Sequence, residues 1–348
     1  MNTDLREKLH QLLNDNKIPD PKLSYILQNI IREYEVQHAG MRESVALQQL
    51  FDETLETIKS NLSKNIRIQT GFGSLDHITG GMYPGEFIVI GGRPAMGKTQ
   101  LLVNMALNIS KTHPILYFSF DLSPFLLGSR FVSALSQIGV GRILSDNIKK
   151  KEEKKLINAR EALGEHKILV NDSGSNSLTA MKSHIVSCRE KNDIKVVMID
   201  YLQLMSSSRS KYNRDQEVSA ICRELKKLAR DLGLVIIVTS QLSRAVDQRG
   251  GTRRPQLADL RESGSIEQDA DKVLLIYRME YYGFYEDEDG ISTEGITELI
   301  VAKNRNGGLG AARLITDEEF TLFADYSDRT ETFNIKEKRL GDLLDSPF

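Results

Sequence analysis

The sequence predicts an α/β fold with a mainly parallel central sheet, preceded by a small helical N-terminal segment. Three observations carry this. Short, almost uninterrupted apolar runs alternate with helical patterns, the mark of strands buried on both faces of a parallel sheet. A glycine-rich turn joins one of those runs to a helical stretch, as in a βα unit. The first 65 residues instead repeat their apolar positions at the helical period, with no strand-like alternation. Of the 348 residues, 40% are hydrophobic and 27% charged, an ordinary globular composition that excludes wholesale disorder.

Along the chain, Leu5, Leu9 and Leu12 mark a first helix within a short helical segment, residues 1–42. Asp20-Pro21 suits an N-cap with proline in the first turn, and Leu23, Ile26, Leu27, Ile30, Ile31 and Tyr34 form one face of a second helix. A third stripe, Leu47, Leu50, Phe51, Leu55, Ile58 and Leu62, falls in residues 43–64. These stripes need a surface to cover them, either the chain's own core or a neighbouring subunit. From residue 71 the turn-rich GFGSLDHITGGMYPGE leads into the strand EFIVIGG, and the domain that begins near residue 65 runs to 348. Further strands are expected at 115–120, 167–172, 195–200, 234–240, 272–277 and 297–302. The last runs are close in sequence, which predicts an antiparallel edge or hairpin near AKNRNGGLGAARLI. YEDEDG at 285–290 reads as a solvated loop.

The net charge of -2 excludes a histone-like basic tail, so a nucleic-acid surface has to be a local patch. Cys188 and Cys222 are too far apart for a CxxC pair and are expected as buried thiols in a reducing cytosol. The six histidines show no metal-ligand spacing. The N-terminus lacks an apolar signal region, and no apolar run approaches membrane-spanning length, so a cytoplasmic location without membrane partners is expected.

The chemistry concentrates at Gly92-Arg93-Pro94-Ala95-Met96-Gly97-Lys98-Thr99, a full GxxxxGK[ST] pattern followed by Gln100. The two glycines let backbone N–H groups curl round phosphate, and the helix that follows adds the positive end of its dipole. Lys98 is placed to reach the β- and γ-phosphates of ATP, and the Thr99 hydroxyl to ligate Mg²⁺. Asp200 closes the buried run VVMID and suits the second Mg²⁺ anchor. Tyr201 follows it, where some ATPases carry the water-activating Glu. Asp121, at the end of the strand that follows the P-loop helix, is placed either to orient the attacking water or to cap a helix.

Several further segments converge with these. GFGSLDHITGGMYPGE, GRPAMGKT, FSFDLS, VVMIDYLQLM, SQLSRAVDQR, DLRESGSIEQDAD and AKNRNG stand in the order and rough spacing of the DnaB-type replicative helicases. From about residue 65 onward the chain resembles the motor domain of that family, with DLRESGSIEQDAD the most specific stretch. The resemblance implies a RecA-like P-loop NTPase domain, a homo-hexamer ring with ATP between subunits, and 5′→3′ movement on single-stranded DNA during replication. It assigns Gln241 as the γ-phosphate sensor, and Lys303 and Arg305 as cations reaching the neighbour's ATP site. It lines the DNA channel with Arg261, Glu262 and Gly264, and makes channel loops of Ser206–Arg214, with Arg209 and Lys211, and Arg249–Arg254, with Arg253 and Arg254. Residues 43–64 resemble the helix linking collar to motor, and a loader or primase is a further partner the resemblance allows.

Two departures stand out. The family carries Glu where this chain has Asp121, which sets the carboxylate back by about 1 Å or more. The segment before the motor is also shorter than the family's N-terminal helical domain. The first departure leaves an alternative, an ATP-gated DNA-binding or assembly protein with weak hydrolysis. A RecA-like recombinase is a second alternative, against which DLRESGSIEQDAD and AKNRNG argue.

Overall fold

The computed structural model describes residues 46–64, 67–145, 147–172, 176–206, 214–260, 264–317 and 319–326. The helices expected within 1–42, the loop residues Arg209 and Lys211, and Arg261 and Glu262 lie outside the described residues. The chain divides into two compact units, residues 1–65 and 66–348. In the first, a single described helix, α1 (Leu47–Lys64), carries the predicted third stripe, and Leu50, Phe51 and Ile58 along it are exposed.

The second unit is a nine-stranded sheet flanked by helices. In chain order it comprises α2 (Gly73–Thr79), β1 (Phe87–Gly92), α3 (Lys98–Ser110), β2 (Ile115–Ser119), α4 (Pro124–Ser136), α5 (Val140–Leu144), α6 (Glu153–Leu163), β3 (Ile168–Asn171), α7 (Leu178–Asn192), β4 (Val196–Asp200), α8 (Arg214–Leu232), β5 (Val235–Gln241), α9 (Ala245–Gln248), α10 (Gly264–Asp269), β6 (Lys272–Tyr277), β7 (Ile296–Asn304), β8 (Gly310–Thr316) and β9 (Phe323–Asp325). The strand order is β3-β2-β4-β5-β1-β6-β7-β8-β9. From β3 to β6 all neighbours are parallel, and β6 to β9 form the antiparallel edge the sequence predicts.

The apolar runs become central strands because both faces are covered. On β1, Ile88 and Ile90 enter one core with Leu101, Leu102 and Met105 of α3, while Phe87 and Val89 enter the other with Ile221, Cys222 and Leu225 of α8. β4 alternates the same way, Val196 and Met198 against Val197 and Ile199. Each such side chain contributes about 1.5–3 kcal/mol on full burial. One helix start is legible in the sequence: α4 follows Ser123, whose hydroxyl accepts from the Leu126 N–H, with Pro124 in the first turn.

All the parallel strands point the same way, so their C-terminal ends form one rim, where α/β sheets bind ligands. The YEDEDG segment is more than a solvated loop. Asp287 accepts from the Ile291 N–H at 2.9 Å and from Arg313 at 3.0 Å, which pins it to β8.

Candidate functional site

The rim holds a cleft of ≈ 470 Å³. Lys98 and Thr99 reach it from α3, Asp121 from beyond β2, Asp200 from β4 and Gln241 from β5. The strand pattern explains the convergence: each of these residues follows or ends a buried apolar run, so the parallel register brings chemically active side chains to one edge.

The phosphate loop is built for an anion. Ala95 (φ 61°) and Gly97 (φ 91°) both take the left-handed conformation, which turns successive backbone N–H groups into a concave nest ahead of α3. That helix carries no acidic residue in its first turn to compete for its N-terminus. Lys98 Nζ folds back onto its own loop, donating to the carbonyls of Gly92 at 3.0 Å and Arg93 at 2.9 Å. Burial pushes the Lys98 ammonium down to about 8, against the pull of the Asp200 carboxylate.

The Thr99 hydroxyl donates to Asp200 at 2.6 Å, and the other Asp200 oxygen accepts from Thr239. Two hard oxygens set side by side at the mouth of a phosphate nest suit Mg²⁺, which takes few protein ligands and completes its shell with water and phosphate oxygens. No cluster of three or more His, Cys, Asp or Glu suited to a metal occurs among the described residues. Asp121 is exposed, lines the cleft and accepts no hydrogen bond among the described residues, while the capping role open to it in the sequence belongs to Ser123.

Not every loop residue faces the cleft. Pro94, Ala95, Gly97, Lys98, Thr99 and Gln100 line it. Met96 is in the core. The Arg93 guanidinium is turned away, paired through Nε and Nη2 with Asp247 on α9 and donating to the Leu242 carbonyl at 2.8 Å. Gln100 donates to the Thr321 carbonyl at 2.9 Å and so ties α3 to the segment before β9.

Lys303 and Arg305 lie at the opposite edge of the sheet. β1 runs parallel to β6, and Lys272 at the start of β6 pairs with Asn304 at the end of β7. The turn after β7 therefore sits beside the start of β1, while the phosphate loop follows its end. Six strand residues separate them, about 20 Å. Lys303 donates to the carbonyls of Glu267 and Gln268, and Arg305 to that of Gln268, at the end of α10.

Gly264 opens α10. Arg254 is held by Glu298 and stacks on Tyr277, and Arg253 stacks on Tyr282 with its guanidinium 5.4 Å from the ring centre.

The cleft also contains residues not picked from the sequence: Arg130, Tyr201, Arg278, Glu319 and Phe320. Arg278 stacks on Phe320 at 3.8 Å and pairs with Glu280. It directly follows the run KVLLIY, the kind of strand-end position from which Asp200 was read, so a signal for it was present. Arg130 leaves its Nε without a hydrogen-bond partner among the described residues.

Comparison with known proteins gives concordant matches. The family described as "DnaB-like helicase C terminal domain" matches residues 67–325. A protein of Trieres chinensis named "Probable replicative DNA helicase" is 39% identical over 328 residues, 91% of this chain and 71% of that protein. "Replicative DNA helicase DnaB" of Geobacillus stearothermophilus is 34% identical over 313 residues, 88% of this chain and 67% of that protein. Among solved structures, "The Structure Of A DnaB-Like Replicative Helicase And Its Interactions With Primase" superposes with TM-score 0.78 at 30% identity, covering 93% of this chain and 76% of that one. "ATPase Domain of G40P" superposes with TM-score 0.74 at 31% identity, covering 82% of this chain and all of that one.

Proposed function

The chain belongs to the DnaB-like helicase family, and on that premise we propose that it is an ATP-driven DNA helicase motor of DNA replication. It moves 5′→3′ on single-stranded DNA as a homo-hexamer ring in the cytoplasm. The observation that carries this reading is the phosphate cleft at the strand ends. The cleft holds a phosphate nest, Lys98, Thr99, Asp121, Asp200 and Gln241. Lys303 and Arg305 lie across the sheet from it, and in this reading they serve the cleft of a second copy. A ring puts the edge of one subunit against the cleft of the next, with each copy completing its neighbour's site.

In this reading the nest and Lys98 would hold the phosphates of ATP, and Thr99 and Asp200 would hold Mg²⁺, which when bound would supply charge neutralisation at the phosphates. Asp121 orients the attacking water and accepts its proton. Gln241 senses the γ-phosphate at the end of β5. Its backbone N–H donates to Gln203 Oε1 at 3.3 Å, so a shift at Gln241 reaches the segment leading to Ser206–Arg214. Arg209 and Lys211 of that segment, with Arg253, Arg254, Arg261, Glu262 and Gly264, track the DNA backbone. The solved relative described with primase supports a primase as partner. α1 serves as the linker helix that docks on the adjacent motor. No helix among the described residues is long and apolar enough to cross a membrane.

Steady-state ATP hydrolysis with and without single-stranded DNA tests the reading. Turnover should rise with DNA and vanish in Lys98→Ala. ATP binding with no hydrolysis in either condition would instead make the chain an ATP-gated DNA-binding protein.

A further inference from the structure

The ATP cleft makes no use of a buried ion pair on the other side of the sheet. Lys272 and Glu86 are 1% and 4% exposed, and Lys272 donates to Glu86 Oε2. The same oxygen accepts from the Tyr83 N–H at 3.0 Å. The second carboxylate oxygen, Oε1, accepts from Asn306 Nδ2 at 2.9 Å. Asn306 is itself exposed, in the turn directly after Arg305. An exposed amide thus reaches inward to a carboxylate that is fixed from below. A buried pair is rarely the most stable choice for its volume, since apolar residues of the same shape are often as good or better. Its directionality is what an apolar pair lacks.

The rest of the turn is tied down with it. The Arg305 N–H donates to the Asp271 carbonyl at 3.0 Å. The Asp271 carboxylate accepts from the Phe87 N–H at 2.8 Å and Lys226 at 2.6 Å. Asn304 Nδ2 closes the turn onto the Gly308 carbonyl at 3.1 Å. A Cβ on Gly307 would lie 2.5 Å from that Nδ2, so a side chain there would displace the amide that closes the turn. Glu86 immediately precedes β1, whose last residue opens the phosphate loop. One strand therefore supports the chain's own ATP cleft at one end and this turn at the other.

We propose that Asn306 is a positioning residue, held by the buried Glu86–Lys272 pair, that sets Lys303 and Arg305 for delivery into the ATP site of a second copy. The inference rests on the shared-site reading above. Loss of the Asn306 anchor leaves the turn held by the Arg305 N–H and by the Lys303 and Arg305 side chains, which must let go to reach a second copy, and misplacement of about 1 Å in a reacting constellation can cost on the order of a hundredfold in rate.

The test is complementation in the DNA-stimulated ATPase assay of the full chain. Asn306→Ala alone should lose on the order of tenfold or more in kcat. Its affinity for a fluorescent ATP analogue should stay that of the unmodified chain, because its own cleft is intact, while its melting temperature should fall only modestly, by the loss of one hydrogen bond to the Glu86 carboxylate. Mixed with excess Lys98→Ala subunits, which have a dead cleft but an intact turn, the activity per Asn306→Ala subunit should recover. Arg305→Ala, treated in the same way, is the reference. If Arg305→Ala recovers and Asn306→Ala does not, or if Asn306→Ala has full activity alone, the positioning role is wrong. If Arg305→Ala fails to recover, the shared site itself is wrong, and the positioning role falls with it.

Discussion

Replacing Asp121 by Asn separates its two possible roles. The side chain lines the cleft and accepts no hydrogen bond among the described residues, and Ser123 caps the helix that follows. The change removes no structural contact, so its cost to stability should stay within about 0.5 kcal/mol, as for an ordinary surface substitution. Its cost to catalysis is another matter. A positioned general base contributes about 10²–10⁴-fold. At about 1.36 kcal/mol per decade that is about 2.7–5.4 kcal/mol of barrier. The assay is DNA-stimulated ATP turnover, with nucleotide affinity and melting temperature measured on the same preparation. A fall in kcat with unchanged affinity and melting temperature is expected. Asp121→Glu should act in the opposite direction, because it returns about 1 Å or more of reach toward the γ-phosphate. A fully active Asn variant would refute the reasoning and leave Asp121 without a chemical role.

Arg93→Gln should cost about 1.5–3 kcal/mol in chemical unfolding, by loss of charge-assisted hydrogen bonds to Asp247 and Leu242, with ATP affinity far less affected than in Lys98→Ala. Lys272→Met strands the Glu86 carboxylate in the core and should destabilise by about 3–5 kcal/mol, most of which a Glu86→Leu partner change should restore. Burial pushes the Cys222 thiol up, so it stays protonated in the fold where the unfolded thiol ionises. Its contribution is therefore intact below about pH 8.5 and lost as pH rises beyond it, and a Cys222→Ala chain should show a shallower alkaline fall in melting temperature.

The sheet was legible because its strands are buried on both faces. Runs such as VVMID and LVIIVTS have no other stable use, and the strand-end Asp200 followed directly, whereas Gln241 was picked out by the family resemblance. The P-loop pattern located the nest but not the direction of the Arg93 guanidinium, since a motif gives backbone geometry and says nothing of where a variable side chain turns. Phe320 and Glu319 enter the cleft from the far end of the chain, and neither carries a local signal. The Glu86–Lys272 pair was hidden for a related reason. At the ends of apolar runs, charged residues usually mark solvent, and only the packing of α8, β6 and the turn after β7 shows these two to be enclosed. The antiparallel edge was legible from the short spacing of the last runs, whereas the anchoring of that turn depends on contacts far apart in sequence.

The central claim is that ATP hydrolysis in a cleft shared between copies drives movement along one DNA strand. Unwinding of a forked duplex by the purified chain, with ATP and Mg²⁺, tests it most directly. Strand separation should require a 5′ single-stranded tail and should be lost in both Lys98→Ala and Arg305→Ala. Failure to unwind a fork with either tail, under conditions where ATP is turned over, would contradict the account.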